Sequence, residues 1–334
     1  MQNNKKSLNK GKKIVKNIIN FLLANIIVGM CVSIPLVYYG PLKNVREMMV
    51  TTAMTTFKHR YFATFFLTDK EINEILERNK ANDDKNSNVS DIKVLNNRET
   101  TNEKSTDGIT FEEIKKPNFK AYMLQIKDSK RVELGLTDSL NKYGITLDEM
   151  AKKNNAVAGI NAGGFVDVDG QGNGGVPTGF VMKDGKIVFN EIPANDKISL
   201  IGFNYDGILT IGKYTLKQIE SLKIKDAVSF GPFFVVNGKP TIESGNGGIG
   251  IQPRTVIGQK KDGTVLMLVV DGRQINSVGA TGKEVQDLML EYGAYNAANL
   301  DGGSSTTMFF DGKIKNSPSS KDGLRFLPTA FLVK

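Results

Sequence analysis

The chain has 334 residues and a formal net charge of +9. Its single cysteine, Cys31, excludes an intrachain disulfide, and its single histidine, His59, lies well before the most regular part of the sequence. Beyond His59 there is no Ser-His-Asp triad, Cys-His pair, haem ligand or ordinary zinc site, so chemistry there rests on Asp, Glu, Asn, Ser, Thr, Tyr, Lys and Arg. Six lysines (Lys5, Lys6, Lys10, Lys12, Lys13, Lys16) precede the first apolar run with no acid among them, and setting them aside leaves +3 for the rest. The basicity belongs to the tail, and no nucleic-acid partner is expected.

Residues 1–17 read as a basic cytoplasmic tail and residues 18–39 as a transmembrane anchor. Ile18 to Tyr39 is nearly all apolar and long enough for a bilayer of roughly 30 Å. The lysines ahead of it predict a single pass in the cell membrane with the bulk of the chain extracellular. A cleaved signal peptide is the competing reading, but the bulky Val37-Tyr38-Tyr39-Gly40-Pro41 offers no small-x-small site. Residues 40–80 form a membrane-proximal extracellular segment. Val50 to Leu67, interrupted by Lys58-His59-Arg60, is too charged for a second span. Thr68-x-x-Glu71 has capping-box form, with Ile72, Ile75 and Leu76 at helical spacing and an end near Asn79. Residues 81–106, rich in Asn, Asp, Lys and Ser, read as a flexible linker.

Residues 107–334 read as one domain. Short apolar runs alternate with Asp184-Gly185, Asp206-Gly207, Asn237-Gly238, Asp262-Gly263 and Asp311-Gly312, which signal strand pairs. Thr146-x-x-Glu149 and Thr281-x-x-Glu284 cap two helices, the second carrying Val285, Leu288, Met289 and Tyr292 on one face and Gly293 past its end. The predicted class is α+β, a mixed, largely antiparallel sheet core with a few packed helices, preceded by one N-terminal transmembrane helix.

Several strands run into polar loops. Ala156 to Ile160 ends at Asn161-Ala162-Gly163-Gly164-Phe165, Ala227 to Phe230 at Gly231-Pro232, and Val265 to Val270 at Asp271-Gly272-Arg273. Ala297-Ala298 leads into Asn299-Leu300-Asp301-Gly302-Gly303-Ser304-Ser305-Thr306, and Arg254-Thr255 opens the strand Val256-Ile257. Paired glycines admit close backbone approach, and hydroxyls both donate and accept. A tight hairpin whose Asp and Ser satisfy their own turn is the structural alternative for the last loop. If these strands share a sheet, the loops converge on one rim, where sites tend to lie.

From Val132 onward the only arginines are Arg254, Arg273 and Arg325. In a chain that uses lysine for solvated charge, an arginine at a strand edge suggests a fork-like contact with phosphate or carboxylate. Salt bridges from Arg254 and Arg273 to Asp271 or Asp301 are the structural alternative. Val166-Asp167-Val168-Asp169-Gly170-Gln171-Gly172-Asn173 begins like a calcium loop, but the twelfth position from Asp167 is Thr178 rather than Glu. A Gly-rich lid running through Gly179 is the other reading. No metal and no cofactor are expected, with calcium at Asp167 and Asp169 the one alternative.

Together, Asn161-Ala162-Gly163-Gly164-Phe165, Gly231-Pro232, Arg254-Thr255, Asp271-Gly272-Arg273 and Asn299-Leu300-Asp301-Gly302-Gly303-Ser304-Ser305 resemble the phosphodiester glycosidase family. The resemblance covers roughly Lys120 to Lys334. In its membrane anchor the chain is similar to bacterial members of the exopolysaccharide biosynthesis type. Gly164 stands where many members carry an aromatic residue. The resemblance implies an extracytoplasmic hydrolase that cleaves the sugar C1–O bond of a sugar-1-phosphodiester in a cell-envelope glycan. On that reading Asp271, Asp301 and Arg273 are catalytic, and the two aspartates activate water or steady an oxocarbenium-like state. Arg254 joins Arg273 on the phosphate. Asn161, Gly163, Gly231, Asn299, Gly302, Gly303, Ser304 and Ser305 line the substrate. The rival class is a non-catalytic, membrane-anchored module that binds anionic wall polymer through the same arginines and hydroxyls.

Overall fold

A computed structural model describes residues 2–56, 59–94, 108–168 and 172–334, with side chains from residue 12 onward. The chain opens with helices α1 (Gln2–Tyr38), α2 (Lys43–Met54), α3 (Tyr61–Thr64) and α4 (Asp69–Asn79). Strands β1 (Ile109–Lys115), β2 (Lys120–Ile126) and β3 (Val132–Leu136) follow, then α5 (Leu147–Lys153) and β4 (Ala158–Asn161). Next come β5 (Phe180–Lys183), β6 (Lys186–Asn190), β7 (Ile198–Asn204), β8 (Leu209–Tyr214), α6 (Leu216–Ser221) and β9 (Ile224–Ser229). The remainder is β10 (Phe233–Val236), β11 (Lys239–Pro240), β12 (Arg254–Gln259), β13 (Val265–Val270), α7 (Gly282–Glu291), β14 (Asn296–Leu300), β15 (Met308–Phe310), β16 (Lys313–Ile314) and β17 (Thr329–Val333).

The class is α+β, with every pairing between these strands antiparallel. A seven-stranded sheet runs β1-β2-β13-β12-β14-β10-β11, and two five-stranded sheets run β16-β15-β4-β17-β3 and β6-β5-β9-β7-β8. Local chemistry accounts for many of the joints. Asp184-Gly185, Asn237-Gly238 and Asp311-Gly312 each have positive φ at both residues. That is the type I′ geometry whose twist matches the flanking strands. Capping boxes start α4 at Thr68 and Glu71, α5 at Thr146 and Glu149, and α7 at Thr281 and Glu284. A fourth, at Thr215 and Gln218, starts α6, where the apolar pattern is too short to announce a helix.

The three sheets share one apolar centre. Leu124, Ile257 and Met267 of the first meet Ile160 and Phe331 of the second and Ile201 and Phe203 of the third, all essentially solvent-free. The opposite face of the seven-stranded sheet, through Met123, Val256 and Leu268, packs on Val285, Leu288 and Met289 of α7. Being covered on both faces, β13 is apolar at every position rather than alternating.

Within α1, Lys12–Tyr38 is long and apolar enough to cross a membrane, by length and composition, as an anchor or a signal sequence. Tyr38 at its end packs with Val50, Ala53, Ala63, Leu67, Ile72 and Ile75, so α2, α3 and α4 form a small helical cap of their own. The segment read as a flexible linker differs from that reading over residues 81–94. Asn82 N–H donates to Thr241 O at 2.8 Å, Ser87 N–H to Ile211 O at 2.8 Å and Lys93 N–H to Lys261 O at 2.8 Å. Asp83 accepts from Phe233 N–H and from Lys213 Nζ. The strap is tied by backbone and by short polar side chains, which apolar content does not reveal. Residues 95–106 lie outside the described residues.

Candidate active site

In the seven-stranded sheet β12 lies between β13 and β14, with Arg254 opposite Val270 and Thr255 opposite Leu300. Asp271 and Asp301 leave the ends of the two flanking strands. Their backbones are therefore two strand spacings, roughly 10 Å, apart. Asn161 closes β4 of the second sheet and is wholly buried. Its Nδ2 donates to the Asp301 carbonyl at 2.6 Å, and its Oδ1 accepts from Thr255 Oγ1 at 2.8 Å and Thr307 N–H at 3.0 Å. Asp301 N–H in turn donates to Ala162 O at 2.9 Å. Asn161 thus joins two sheets and fixes the Asp301 backbone, and its amide has no group turned to solvent for a sugar.

The Asp301 carboxyl is the unusual one. Burial pushes it up to about 7, against a hydrogen bond from Ser305 and the charge of Arg325, and the Asp167 carboxylate pushes the same way as burial. A carboxyl poised near neutrality suits proton exchange with a reacting group. Arg325, which the sequence marks only by its rarity and gives no role, donates to Asp167 Oδ1 at 2.7 Å and lies over the Phe165 ring at 5.2 Å. The arginine scarcity that singles out Arg254 and Arg273 applies to it equally. Asp167 Oδ1 also accepts from Gly172 N–H at 2.6 Å. The carboxylate offered for calcium is therefore engaged by a cation of the protein itself. Asp169 lies outside the described residues, and no group of three or more His, Cys, Asp or Glu suited to a metal occurs among those described.

Asp271 is placed differently. It is 2% exposed, and its two oxygens accept from Tyr122 OH, Asn316 Nδ2 and Ser317 N–H at 2.9–3.2 Å. Burial raises its pKa despite those bonds and drives the Tyr122 hydroxyl up to about 12. The carboxylate ties the 316–317 turn to Tyr122 of β2, and its two oxygens are engaged by those donors.

Among the described residues, neither Arg254 nor Arg273 forms an ion pair. Arg254, 5% exposed, donates from Nη2 to Ile249 O and Gly250 O at 2.5 and 2.6 Å and from Nε to Ala280 O at 3.2 Å. Burial first, then the charge of Arg273, lowers it to about 9, so it stays cationic at neutral pH. Arg273 donates from Nε and Nη2 to Gln252 Oε1 at 3.2 and 2.7 Å. Its backbone is held in the left-handed region at φ 59°, a strain of about 1–3 kcal/mol of the kind that collects at functional sites. A Cβ added at Gly303 (φ 60°) would sit 3.2 Å from Arg273 Nη2, and one at Gly302 would sit 2.8 Å from Pro253 O. The two glycines bring the Asp301 loop against both the guanidinium and the start of β12.

The remaining candidates divide. Ser305 is buried and bonded to Asp301, while Ser304 is partly exposed beside it. Asn299 donates to Gly231 O at 3.0 Å and leaves its buried Oδ1 without a partner. Gly231 borders open space. Gly163 N–H is consumed by Thr329 Oγ1 at 3.0 Å. At Gly164 a Cβ would lie 3.1 Å from the Phe230 ring and 2.8 Å from Thr178 Oγ1, so Phe230 fills the space that an aromatic residue at 164 would need.

A sequence model described as phosphodiester glycosidase matches residues 154–334, more than half of the chain. An SPbeta prophage-derived uncharacterized protein, YomE, of Bacillus subtilis (strain 168) is 31% identical over 189 residues. That stretch is 54% of this chain, and the chain spans only 28% of that relative's length. The zebrafish N-acetylglucosamine-1-phosphodiester alpha-N-acetylglucosaminidase catalytic domain, auto-inhibited by its pro-peptide, shares the fold with a TM-score of 0.57 at 20% identity. The match covers 72% of this chain and 86% of that one.

Proposed function

Because this chain belongs to the phosphodiester glycosidase family, we propose that it hydrolyses the sugar C1–O bond of a sugar-1-phosphodiester in a cell-envelope or exopolysaccharide glycan, from an anchored position outside the membrane. One observation carries the reading: among the described residues Arg254 and Arg273 have no carboxylate partner, the Arg273 guanidinium lies against the Asp301 loop, and desolvation pushes the carboxyl of that loop up to about 7. Clustered cations lacking a counter-ion suit an anionic ligand, and fork geometry suits phosphate. Departure of the phosphate yields a monoester with a second pKa of about 6, so it leaves with little help from an acid. Arg273 and Arg254 stabilise it. Asp301 serves the carbon side, taking the proton of the attacking water or steadying the charge that develops at C1. Water supplies the oxygen that ends on C1, and the electron pair of the broken bond leaves with the phosphate. Asp271 and Asn161 act by holding the loops. Arg325 and Asp167, beside Asp301, tune its charge.

The test is turnover of methyl N-acetylglucosamine-1-phosphate by the full chain in detergent, run in ¹⁸O-water. The expected products are methyl phosphate and a reducing sugar carrying the label. Label on phosphate would place the cleavage at the P–O bond and overturn the reading. Saturable binding without turnover would favour the wall-polymer binding module.

A further inference from the structure

The loop 246–252 supplies the carbonyls of Ile249 and Gly250 that hold Arg254, and the Gln252 amide oxygen that holds Arg273. Its other side rests on the helical cap. Ile251 N–H donates to Thr52 Oγ1 at 3.0 Å, Gln252 Nε2 reaches Thr55 Oγ1 at 3.5 Å, and Asn246 Nδ2 donates to Thr51 Oγ1 at 2.9 Å. Asn246 N–H also donates to Asn79 Oδ1 at 3.1 Å, and Asn79 is bonded back to Glu47 at 3.1 Å. A Cβ at Gly250 would lie 2.3 Å from Thr52 Cα, so the two backbones are in direct contact. Three threonines, two in α2 and one capping its C-terminus, thus present hydroxyls to a loop roughly 200 positions away along the chain.

We propose that α2, immediately after the apolar helix, is part of the phosphate-binding apparatus: Thr52 and Thr55 are positioning residues that hold the 246–252 loop, and through Gln252 and the Gly250 carbonyl hold Arg273 and Arg254. This inference rests on the phosphate role given to the two arginines. It assigns the segment between anchor and domain a task beyond tethering. Displacing α2 shifts the loop, lets Gln252 turn, and frees Arg273 from the orientation in which its fork faces the Asp301 loop. The effect falls on phosphate affinity, because the residues that serve the sugar carbon are held by other elements, Asn161 and Ser305 among them.

The experiment uses the full chain in detergent micelles. Thr52→Val with Thr55→Val removes the hydroxyls at nearly constant shape, Thr52→Ser with Thr55→Ser restores them, and Thr55→Val alone cuts the link to Gln252 at an exposed position, leaving the Thr52 link to the loop in place, at the cost of the Thr55 hydroxyl's bonds to Thr51 O and Thr52 O within the end of α2. Four quantities are read: KM and kcat on the phosphodiester, the Kd for inorganic phosphate, and the rate at which phenylglyoxal modifies Arg273, followed by mass spectrometry. The double valine variant is expected to raise KM and the phosphate Kd about tenfold, the scale of one charge-assisted contact, with kcat nearly unchanged and Arg273 modified faster. The serine pair should return all three to wild type. A loss confined to kcat, or wild-type values throughout, overturns the inference. If wild type shows no turnover, the proposed function fails, while phosphate affinity and Arg273 reactivity still decide this one. Should wild type bind no phosphate either, the phosphate-binding role of α2 fails with that of the arginines, and an unaltered modification rate in Thr55→Val refutes the positioning link as well.

Discussion

Replacing Asp301 with Asn tests the electrostatics of the site most directly. Asp301 is lifted from an ordinary 3.8 to about 7, chiefly by burial. A carboxyl with a raised folded pKa stabilises the fold fully below its unfolded pKa, and that contribution is lost as pH rises through the folded value. The window therefore runs from about pH 4 to about pH 7. At 1.36 kcal/mol per pKa unit the full span is about 4 kcal/mol, and screening by the loop's partial exposure lowers it to about 2–3 kcal/mol. An Asn side chain mimics the neutral acid and carries no such dependence. Melting temperatures of the Asp301→Asn variant and wild type should therefore lie close together at pH 4, with the variant pulling ahead by about 5 °C at pH 8, at about 2 °C per kcal/mol. The assay is a thermal melt of both full-length proteins in the same detergent at each half-unit of pH. On the phosphodiester the variant should lose at least a hundredfold in kcat/KM, the range expected for a positioned acid–base group. A melting difference that stays constant from pH 4 to pH 8 would refute the claim that Asp301 is a desolvated carboxyl, and with it the claim that it is poised for proton exchange.

Arg273→Lys keeps the charge and loses the fork, so kcat/KM on the phosphodiester should fall about a hundredfold while an aryl glycoside, with its better leaving group, loses about tenfold or less; equal losses at unchanged stability would remove Arg273 from the leaving group. Asp271→Ala strands the Tyr122, Asn316 and Ser317 donors and should cost about 3 kcal/mol in a denaturant melt; a fully stable variant without activity would return Asp271 to the chemistry. External protease should strip residues beyond Tyr39 from intact protoplasts, and complete protection would reverse the topology.

Much of the local architecture was legible in the residues alone. The Asp-Gly and Asn-Gly pairs specify left-handed backbone at both turn positions, and the Thr-x-x-Glu boxes satisfy the first free N–H groups of their helices, so both signals act within a few residues. The strand-end loops and the odd arginines were visible for the same reason. The division of the polar groups between chemistry and fold that we propose rests on partners far away in sequence. Asp271 and Asp301 sit in similar Asp-Gly motifs. The first meets Asn316 and Ser317 and is consumed by them, while the second meets Arg325 and Asp167 and is left near neutrality. Residues 81–94 have the composition of a linker but are tied by hydrogen bonds to the edge strand β8 at Ile211 and to the backbone of Thr241 and Lys261. The threonines of α2 look like any helical surface until loop 246–252 arrives against them. Composition and periodicity govern φ, ψ and the side a residue faces. The desolvation and hydrogen bonding that make a carboxyl reactive or inert depend on what the assembled chain places beside it.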